Sequence, residues 1–207
     1  MNDTSKTEYK AELKQFYTAK AGKPVVGQVP KMNFIMIDGK GDPNTSQEYA
    51  AAIETLYPVA YAIKFACKLG LGNDFGVMPL EGLWWAEDMT NFSTDNKENW
   101  LWTAMIMQPD VVTDDIYDRA VQQVKEKKSP EALGRLRFSS YDEGRAAQVL
   151  YVGPYSDEGP TIKALHEFIN EQGGTLAATN KHHHEIYLGD PRRTAPAKLK
   201  TIIRQPF

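Results

Sequence analysis

The stretch HHEIYLGDP, residues 183–191, has the alternating pattern of a sheet strand and carries one acid among aromatic and β-branched residues. Successive side chains of a strand point to opposite faces of its sheet. Ile186 and Leu188 are therefore predicted to lie on one face, and Glu185 and Tyr187 on the other. A hydrophobic core does not need an acid beside a phenol, so we predict that the second face belongs to a ligand site.

The whole chain has the composition of an ordinary globular protein, with 207 residues, 42% hydrophobic and 25% charged. Its net charge of −3 is too small to attract nucleic acid, so neither DNA nor RNA is expected to bind. The single cysteine, Cys67, excludes a disulfide framework and is predicted to lie in the core. No apolar run is long enough to cross a membrane, and residues 1–6 lack a signal-peptide core. We predict a cytoplasmic protein.

Secondary-structure patterns recur in the same order in both halves of the chain. The first half contains an apolar strand (residues 32–38), a helix opened by Ser46, and strands at residues 75–85 and 100–107. The second half contains a strand (residues 148–155), a helix opened by residues 156–158, and strands at residues 183–188 and 199–203. A helix capped by Thr113 joins the halves. We predict an α+β fold of two β-α-β-β units related by a pseudo-twofold axis, with a ligand cleft along their seam.

The domain boundaries follow from this repeat. Residues 1–30 are predicted to form an amino-terminal arm. Residues 31–207 are predicted to form one domain, in which the repeats cover about residues 31–110 and 145–207.

The four tryptophans are concentrated between residues 84 and 102. Trp100 and Trp102 are two residues apart, so a strand places them on one face. Large aromatic rings often simply fill a core. Because these rings accompany the strand that carries Glu185, we predict instead that they form the wall of an aromatic pocket.

Glu185 has two possible uses in such a pocket. Desolvation would raise the pKa of the carboxyl and make it a proton acceptor or donor near neutral pH. Alternatively, the carboxylate stays charged and attracts a cationic ligand, with help from cation–π contacts worth about 0.5 to 2 kcal/mol each. Both uses place Glu185 at the centre of the site.

Other kinds of site are not supported by the sequence. His182, His183 and His184 are consecutive, so they cannot all face one ion, and no second cluster completes a metal site. The turn at residues 39–44 lacks the ending of a phosphate-binding loop. We expect neither a metal nor a cofactor.

Three segments together resemble the GyrI-like small-molecule-binding domain, which also forms the effector-binding half of BmrR-type multidrug regulators. They are residues 31–44 (KMNFIMIDGKGDPN), residues 151–155 (YVGPY) and residues 184–191 (HEIYLGDP). The resemblance implies two SH2-like β-α-β-β units around a central aromatic cleft. In the regulators a buried glutamate of the cleft meets lipophilic cations, and Glu185 matches it here.

The chain is similar to stand-alone members of this family, because residues 1–30 are too few for a winged-helix DNA-binding module. Some stand-alone members are similar to enzymes that use water to open the cyclopropane of DNA-alkylating cyclopropanoid natural products. The resemblance therefore implies a detoxifying hydrolase in which Glu185 activates or orients water. One of Tyr151, Tyr155 and Tyr187 would donate to the developing phenolate. A non-catalytic binder or sensor of drugs and lipophilic cations, and a gyrase inhibitor, are the alternatives.

These inferences assign the following roles. The candidate catalytic residues are Glu185 and Tyr155. The candidate ligand-binding residues are all aromatic: Phe34, Trp85, Trp100, Trp102, Tyr151 and Tyr187. The expected partner is a hydrophobic aromatic small molecule, with no direct contact to nucleic acid or membrane, and the chain is expected to be a monomer or a weak homodimer.

Overall fold

The computed structural model describes residues 13–86, 97–176 and 182–207. It mixes helices with antiparallel strands, which confirms the predicted α+β class. The strands are β1 (Val25–Val29), β2 (Met32–Lys40), β3 (Leu80–Trp85), β4 (Leu101–Gln108), β5 (Arg137–Tyr141), β6 (Gly144–Val152), β7 (His183–Tyr187) and β8 (Lys200–Pro206). The helices are α1 (Gln47–Leu71), α2 (Asp114–Lys127) and α3 (Gly159–Glu171). No helix in the three described ranges is long and apolar enough to cross a bilayer.

The first compact unit contains Met32–Met78 and Ala86–Tyr141. Its strands are antiparallel neighbours in the order β4-β2-β5. Helix α1 packs on β2 and β4, and α2 packs on α1. Helix α1 begins where the Ser46 side chain accepts a hydrogen bond from the Tyr49 amide, and it ends at Gly72, which adopts a left-handed conformation. Cys67, on the inner face of this helix, is completely buried, as predicted.

The second compact unit contains Lys14–Lys31, Pro79–Trp85 and Asp142–Phe207. Its antiparallel strands have the order β1-β6-β8-β7-β3. Helix α3 packs across β6 and β8. The core between them is aliphatic and consists of Ala147, Val149, Leu165, Ile169 and Ile203. This packing fixes α3, and the turn that precedes it, beside the sheet that carries Glu185.

The predicted element order is confirmed, since the chain runs β2-α1-β3-β4 and later β6-α3-β7-β8. The compact units, however, do not coincide with the two halves of the sequence. Strand β3 comes from the first half, but it pairs with β7 in the second unit. Strands β1 and β5 were not predicted, and β1 lies within the predicted amino-terminal arm.

Candidate functional site

Glu185 lies in the middle of β7, with Gly82 of β3 opposite it on one side and Ile203 of β8 on the other. The Tyr187 hydroxyl donates a hydrogen bond of 2.7 Å to Glu185 Oε2, and His183 Nε2 lies 3.2 Å from Oε1. All three residues of β7 therefore share one face, as the alternation predicted. The carboxylate is only 7% exposed. It is a buried acid with several hydrogen-bond partners.

Two further aromatic side chains contact Tyr187. Trp84 Nε1 donates to it over 3.1 Å, from the neighbouring strand β3. The ring of Tyr155 stands edge-on to that of Tyr187, with 5.6 Å between their centroids. Tyr155 comes from the short 3₁₀ turn Tyr155–Asp157, which leads into α3. An indole and a second phenol therefore pack on the tyrosine that donates to the Glu185 carboxylate.

The absence of a side chain at Gly82 makes room for this arrangement. Gly82 and Trp84 lie on the same face of β3, opposite Glu185 and His183 respectively. A Cβ atom at Gly82 would lie 2.7 Å from Trp84 Nε1 and 2.9 Å from the adjacent ring carbon. Only glycine therefore lets the Trp84 indole lie over this position and reach Tyr187.

We predict that Gly82→Ala displaces the Trp84 indole, breaks its hydrogen bond to Tyr187 and lowers the free energy of unfolding by about 1–3 kcal/mol. Urea unfolding followed by tryptophan fluorescence measures both effects. The matched control is Gly27→Ala in β1, where an added Cβ meets nothing within 4 Å. This control should stay within about 0.5 kcal/mol of the parent. Equal effects of the two substitutions would contradict the role given to Gly82.

The Glu185 carboxyl is held in its charged form. Burial opposes the charge, but hydrogen bonds from His183, Tyr187 and Glu158 outweigh it and lower the pKa of Glu185 below its ordinary value of 4.5. Glu185 was expected to be either a neutral acid with a raised pKa or a charged carboxylate. Its surroundings favour the carboxylate at neutral pH. Such a group accepts hydrogen bonds from water and stabilises nearby positive charge without first losing a proton.

The opposite face of β7 carries a second polar cluster, centred on His184. His184 Nδ1 lies 2.8 Å from Glu143 Oε1, and His184 Nε2 lies 2.9 Å from Glu81 Oε2. Arg204 Nη1 donates to the other oxygen of Glu143 over 2.8 Å, and Tyr17 donates to the other oxygen of Glu81 over 2.7 Å. The His184, Glu81, Glu143 and Arg204 side chains are at most 1% exposed. We call these four residues the buried ionic cluster.

The buried ionic cluster also holds the beginning of the second unit in place. Arg204 donates to the carbonyl of Phe16 and to Gln148 Oε1. Gln148 Nε2 in turn donates to the carbonyls of Gln15 and Thr18, each over 3.0 Å. Residues 15–18 are thus bonded to β6 and β8 by buried side chains.

Charge within the buried ionic cluster makes stability depend on pH. Burial opposes both charges, but mutual attraction and hydrogen bonding raise the pKa of His184 from 6.5 to about 9 and lower the pKa of Glu143 from 4.5 to about 2. The contribution of His184 to the free energy of unfolding is complete below pH 6.5 and is lost as the pH rises through about 9. That of Glu143 is complete above pH 4.5 and is lost as the pH falls through 2.

We therefore predict that this cluster stabilises the fold most between about pH 4.5 and 6.5. The free energy of unfolding, measured in urea across a pH series, should fall on the alkaline side of this window as His184 loses its proton. In Glu143→Gln the alkaline slope should be shallower, because His184 has lost one of its two acidic partners. An identical slope in the parent and the variant would contradict the assignment.

The three consecutive histidines have three different environments. His182 stacks on Trp85, with ring centroids 4.0 Å apart. His183 contacts Glu185, and His184 belongs to the buried ionic cluster on the other face. The expectation that they would not face one common point is therefore confirmed.

The structure does not bring all the predicted residues of the second unit to Glu185. Trp85 follows Trp84 in β3, so strand alternation directs it to the other face, where it stacks on His182. The Tyr151 hydroxyl donates to the carbonyl of Pro154 over 2.9 Å, at the turn that carries Tyr155. Tyr155 and Tyr187 are the predicted aromatic residues that accompany Glu185.

In the first unit, the predicted residues Phe34 and Trp102 are completely buried. The indole of Trp102 packs edge-on to Tyr49, with 5.0 Å between centroids, and covers Gly39, where a Cβ atom would collide with it. Trp100 is 8% exposed, and the Lys97 ammonium lies 4.9 Å from its ring. That any of these rings contacts a ligand stays a prediction.

Three residues around Glu185 were not predicted from the sequence, namely Trp84, His183 and Glu158. His183 could have been found, because alternation places residues 183, 185 and 187 on one face. Trp84 depends on the register between β3 and β7, and Glu158 depends on where α3 docks. Neither is visible in the local sequence.

Solved structures with the same architecture include close relatives. An uncharacterized conserved protein from Listeria innocua is 40% identical, covers 96% of this chain and 98% of its own, and superposes with a TM-score of 0.86. A hydrolase encoded by lin2189 from Listeria innocua is also 40% identical, over 96% of this chain and 97% of its own, with a TM-score of 0.83. The C-terminal domain of EcmrR shares the fold alone, at 13% identity and a TM-score of 0.52, over 89% of this chain and 96% of its own.

No match was found among curated proteins. The family model described as a GyrI-like small molecule binding domain matches residues 23–206. This match covers most of the chain and agrees with the segments that carried the resemblance. The chain belongs to the GyrI-like small-molecule-binding domain family.

Proposed function

We propose that this protein binds bulky aromatic compounds and hydrolyses cyclopropanoid genotoxins by adding water to their cyclopropane ring. The observation that carries the proposal is the buried Glu185 carboxylate, kept charged by hydrogen bonds and accompanied by an indole and two phenols. The family assignment supports small-molecule binding. The Listeria innocua hydrolase, similar over nearly the whole chain, supports a hydrolytic reaction.

The proposed reaction requires little chemical machinery. The oxygen of water forms a bond to a ring carbon, and a strained carbon–carbon bond of the cyclopropane breaks. The electron pair of that bond passes to the conjugated carbonyl oxygen, which becomes a phenolate. The attacking water loses a proton, and Glu185 is the acceptor that we assign to it. Relief of ring strain favours the products, so the protein needs chiefly to hold water, acid and ring in line.

Tyr155 is the phenol that we assign to the developing phenolate. The ring of Tyr155 packs edge-on to the ring of Tyr187, whose hydroxyl donates to Glu185. A donor at this place stabilises negative charge as it forms on the substrate oxygen.

A second candidate function is non-catalytic binding of lipophilic cations. It is favoured by the charged state of Glu185, because a carboxylate beside aromatic faces attracts a cation as well as it orients water. In that function the ligand would be sequestered, and no product would form.

Incubation of the protein with a molar excess of a cyclopropanoid compound separates these functions. Mass spectrometry is expected to show the ring-opened alcohol accumulating well beyond one equivalent per protein. A complex of one equivalent without product would contradict hydrolysis and support sequestration. Heat-denatured protein gives the background rate of ring opening in water.

A further inference from the structure

The hydrogen bonds from Trp84 to Tyr187 and from Tyr187 to Glu185 run in one direction. Trp84 Nε1 donates to the Tyr187 hydroxyl oxygen over 3.1 Å, and that hydroxyl donates to Glu185 Oε2 over 2.7 Å. An indole nitrogen can only donate and a carboxylate can only accept, so neither bond can be reversed. The single proton of the Tyr187 hydroxyl therefore belongs to its bond with Glu185. We call these three side chains the donor chain.

The indole at the start of the donor chain has little freedom to move. Trp84 is only 2% exposed and lies in β3, where it is paired with His183 of β7. The indole occupies the space over Gly82, where an added Cβ atom would lie 2.7 Å from Trp84 Nε1. Glycine weakens the interior of a strand, because it loses more conformational freedom on folding and adds no side chain to the core. Strand β3 thus carries a destabilising residue at the place that lets this indole reach Tyr187.

A buried indole can serve for packing alone, with a nearby hydroxyl as the partner of its N–H group. Packing alone does not require a donor, and a phenylalanine ring would also fill a buried position. The bond from Trp84 has a further effect, because hydrogen bonds that share a hydroxyl strengthen each other. Donation from Trp84 draws electron density from the Tyr187 oxygen, so the hydroxyl becomes a stronger donor to Glu185.

We propose that Trp84 is a positioning residue for the hydrolysis, which fixes, through the Tyr187 hydroxyl, the orientation in which the Glu185 carboxylate accepts a proton from water. The donor chain holds one carboxylate oxygen, Oε2, by a short bond, so the group cannot turn without losing that bond. Trp84 and Tyr187 keep their protons throughout the reaction. This role rests on the proposed function and extends it to a residue that acts only through another side chain.

A double-mutant cycle separates this role from simple packing. Trp84→Phe should lower kcat about tenfold with little change in KM, because the base is less well oriented. In the Tyr187→Phe background the same substitution should cause no further loss, since its effect passes through the hydroxyl. The matched control is Tyr117→Phe in the first unit, which removes a donor to the Leu136 carbonyl and should retain the parental kcat. A further tenfold loss in the double variant, or parental kcat in Trp84→Phe, would overturn the proposal.

Nuclear magnetic resonance of the indole N–H groups tests the donor chain without any substrate, in variants that keep Trp84. In Tyr187→Phe the Trp84 indole proton should move upfield and exchange faster with solvent, because it has lost its acceptor. In Glu185→Gln it should move in the same direction by less, since an amide polarises the Tyr187 hydroxyl more weakly than a carboxylate. Tyr117→Phe should leave this signal in place.

A Trp84 signal that does not respond to Glu185→Gln would overturn the proposal, because the two ends of the donor chain would then be uncoupled. If the signal responds in both variants but the parent protein opens no cyclopropanoid compound, the donor chain stands and the proposed function fails.

Discussion

Glu143→Gln is expected to lower the free energy of unfolding by about 3–5 kcal/mol. Glu143 bridges His184 and Arg204 with its two oxygens, over 2.8 Å in each case, and is 1% exposed. The substitution leaves two buried cations with Glu81 as their remaining acidic partner in the buried ionic cluster. Water cannot solvate the surplus charge, so the folded state bears most of the cost.

Urea unfolding at a pH near 6 measures this loss, with Glu167→Gln as control. Glu167 pairs with Lys163 at 3.8 Å, and both side chains are well exposed. Surface pairs of this kind contribute about 0–1 kcal/mol. A loss below about 1 kcal/mol in Glu143→Gln would show that the buried ionic cluster is not charged as described.

Glu185→Gln is expected to lower kcat for a cyclopropanoid substrate by at least about 100-fold. Glutamine has nearly the same shape and can still contact Tyr187, but its amide cannot take a proton from water. The substitution removes one charge from the site while leaving the aromatic rings in place. Affinity for a neutral substrate should therefore change much less than turnover does.

Steady-state kinetics and binding measurements on the same preparation test this prediction. A kcat within about tenfold of the parent would remove Glu185 from the proposed catalytic role. Binding of a lipophilic cation is a useful companion measurement, because loss of the carboxylate should weaken that ligand selectively. Thermal unfolding of each preparation establishes that the variant is folded.

Local sequence signals were enough to predict much of this architecture. Thr113 caps the helix that it was predicted to cap, and the helix predicted to begin at Ser46 does begin there. Alternation around Glu185 placed Tyr187 on its face and the fully buried Ile186 on the other. These features depend on neighbours within a few residues, which is the range that a sequence pattern reports.

Other features depend on packing between distant segments. The register of β3 against β7 places Trp84 beside the Tyr187 hydroxyl and directs Trp85 elsewhere, although the two tryptophans are adjacent in sequence. The docking of α3 brings Glu158 to Glu185. The buried ionic cluster also escaped prediction, because charged residues in strands normally face water. The four side chains can be buried only together, because each charge is compensated by the others.

A reaction in water labelled with ¹⁸O tests whether the protein adds water to the cyclopropane ring with Glu185 as the base. We expect that a cyclopropanoid compound treated with the parent protein gains one ¹⁸O atom in its new alcohol, and that Glu185→Gln forms this product far more slowly. A parent protein that yields no labelled alcohol, or that becomes covalently attached to the opened compound, would contradict hydrolysis.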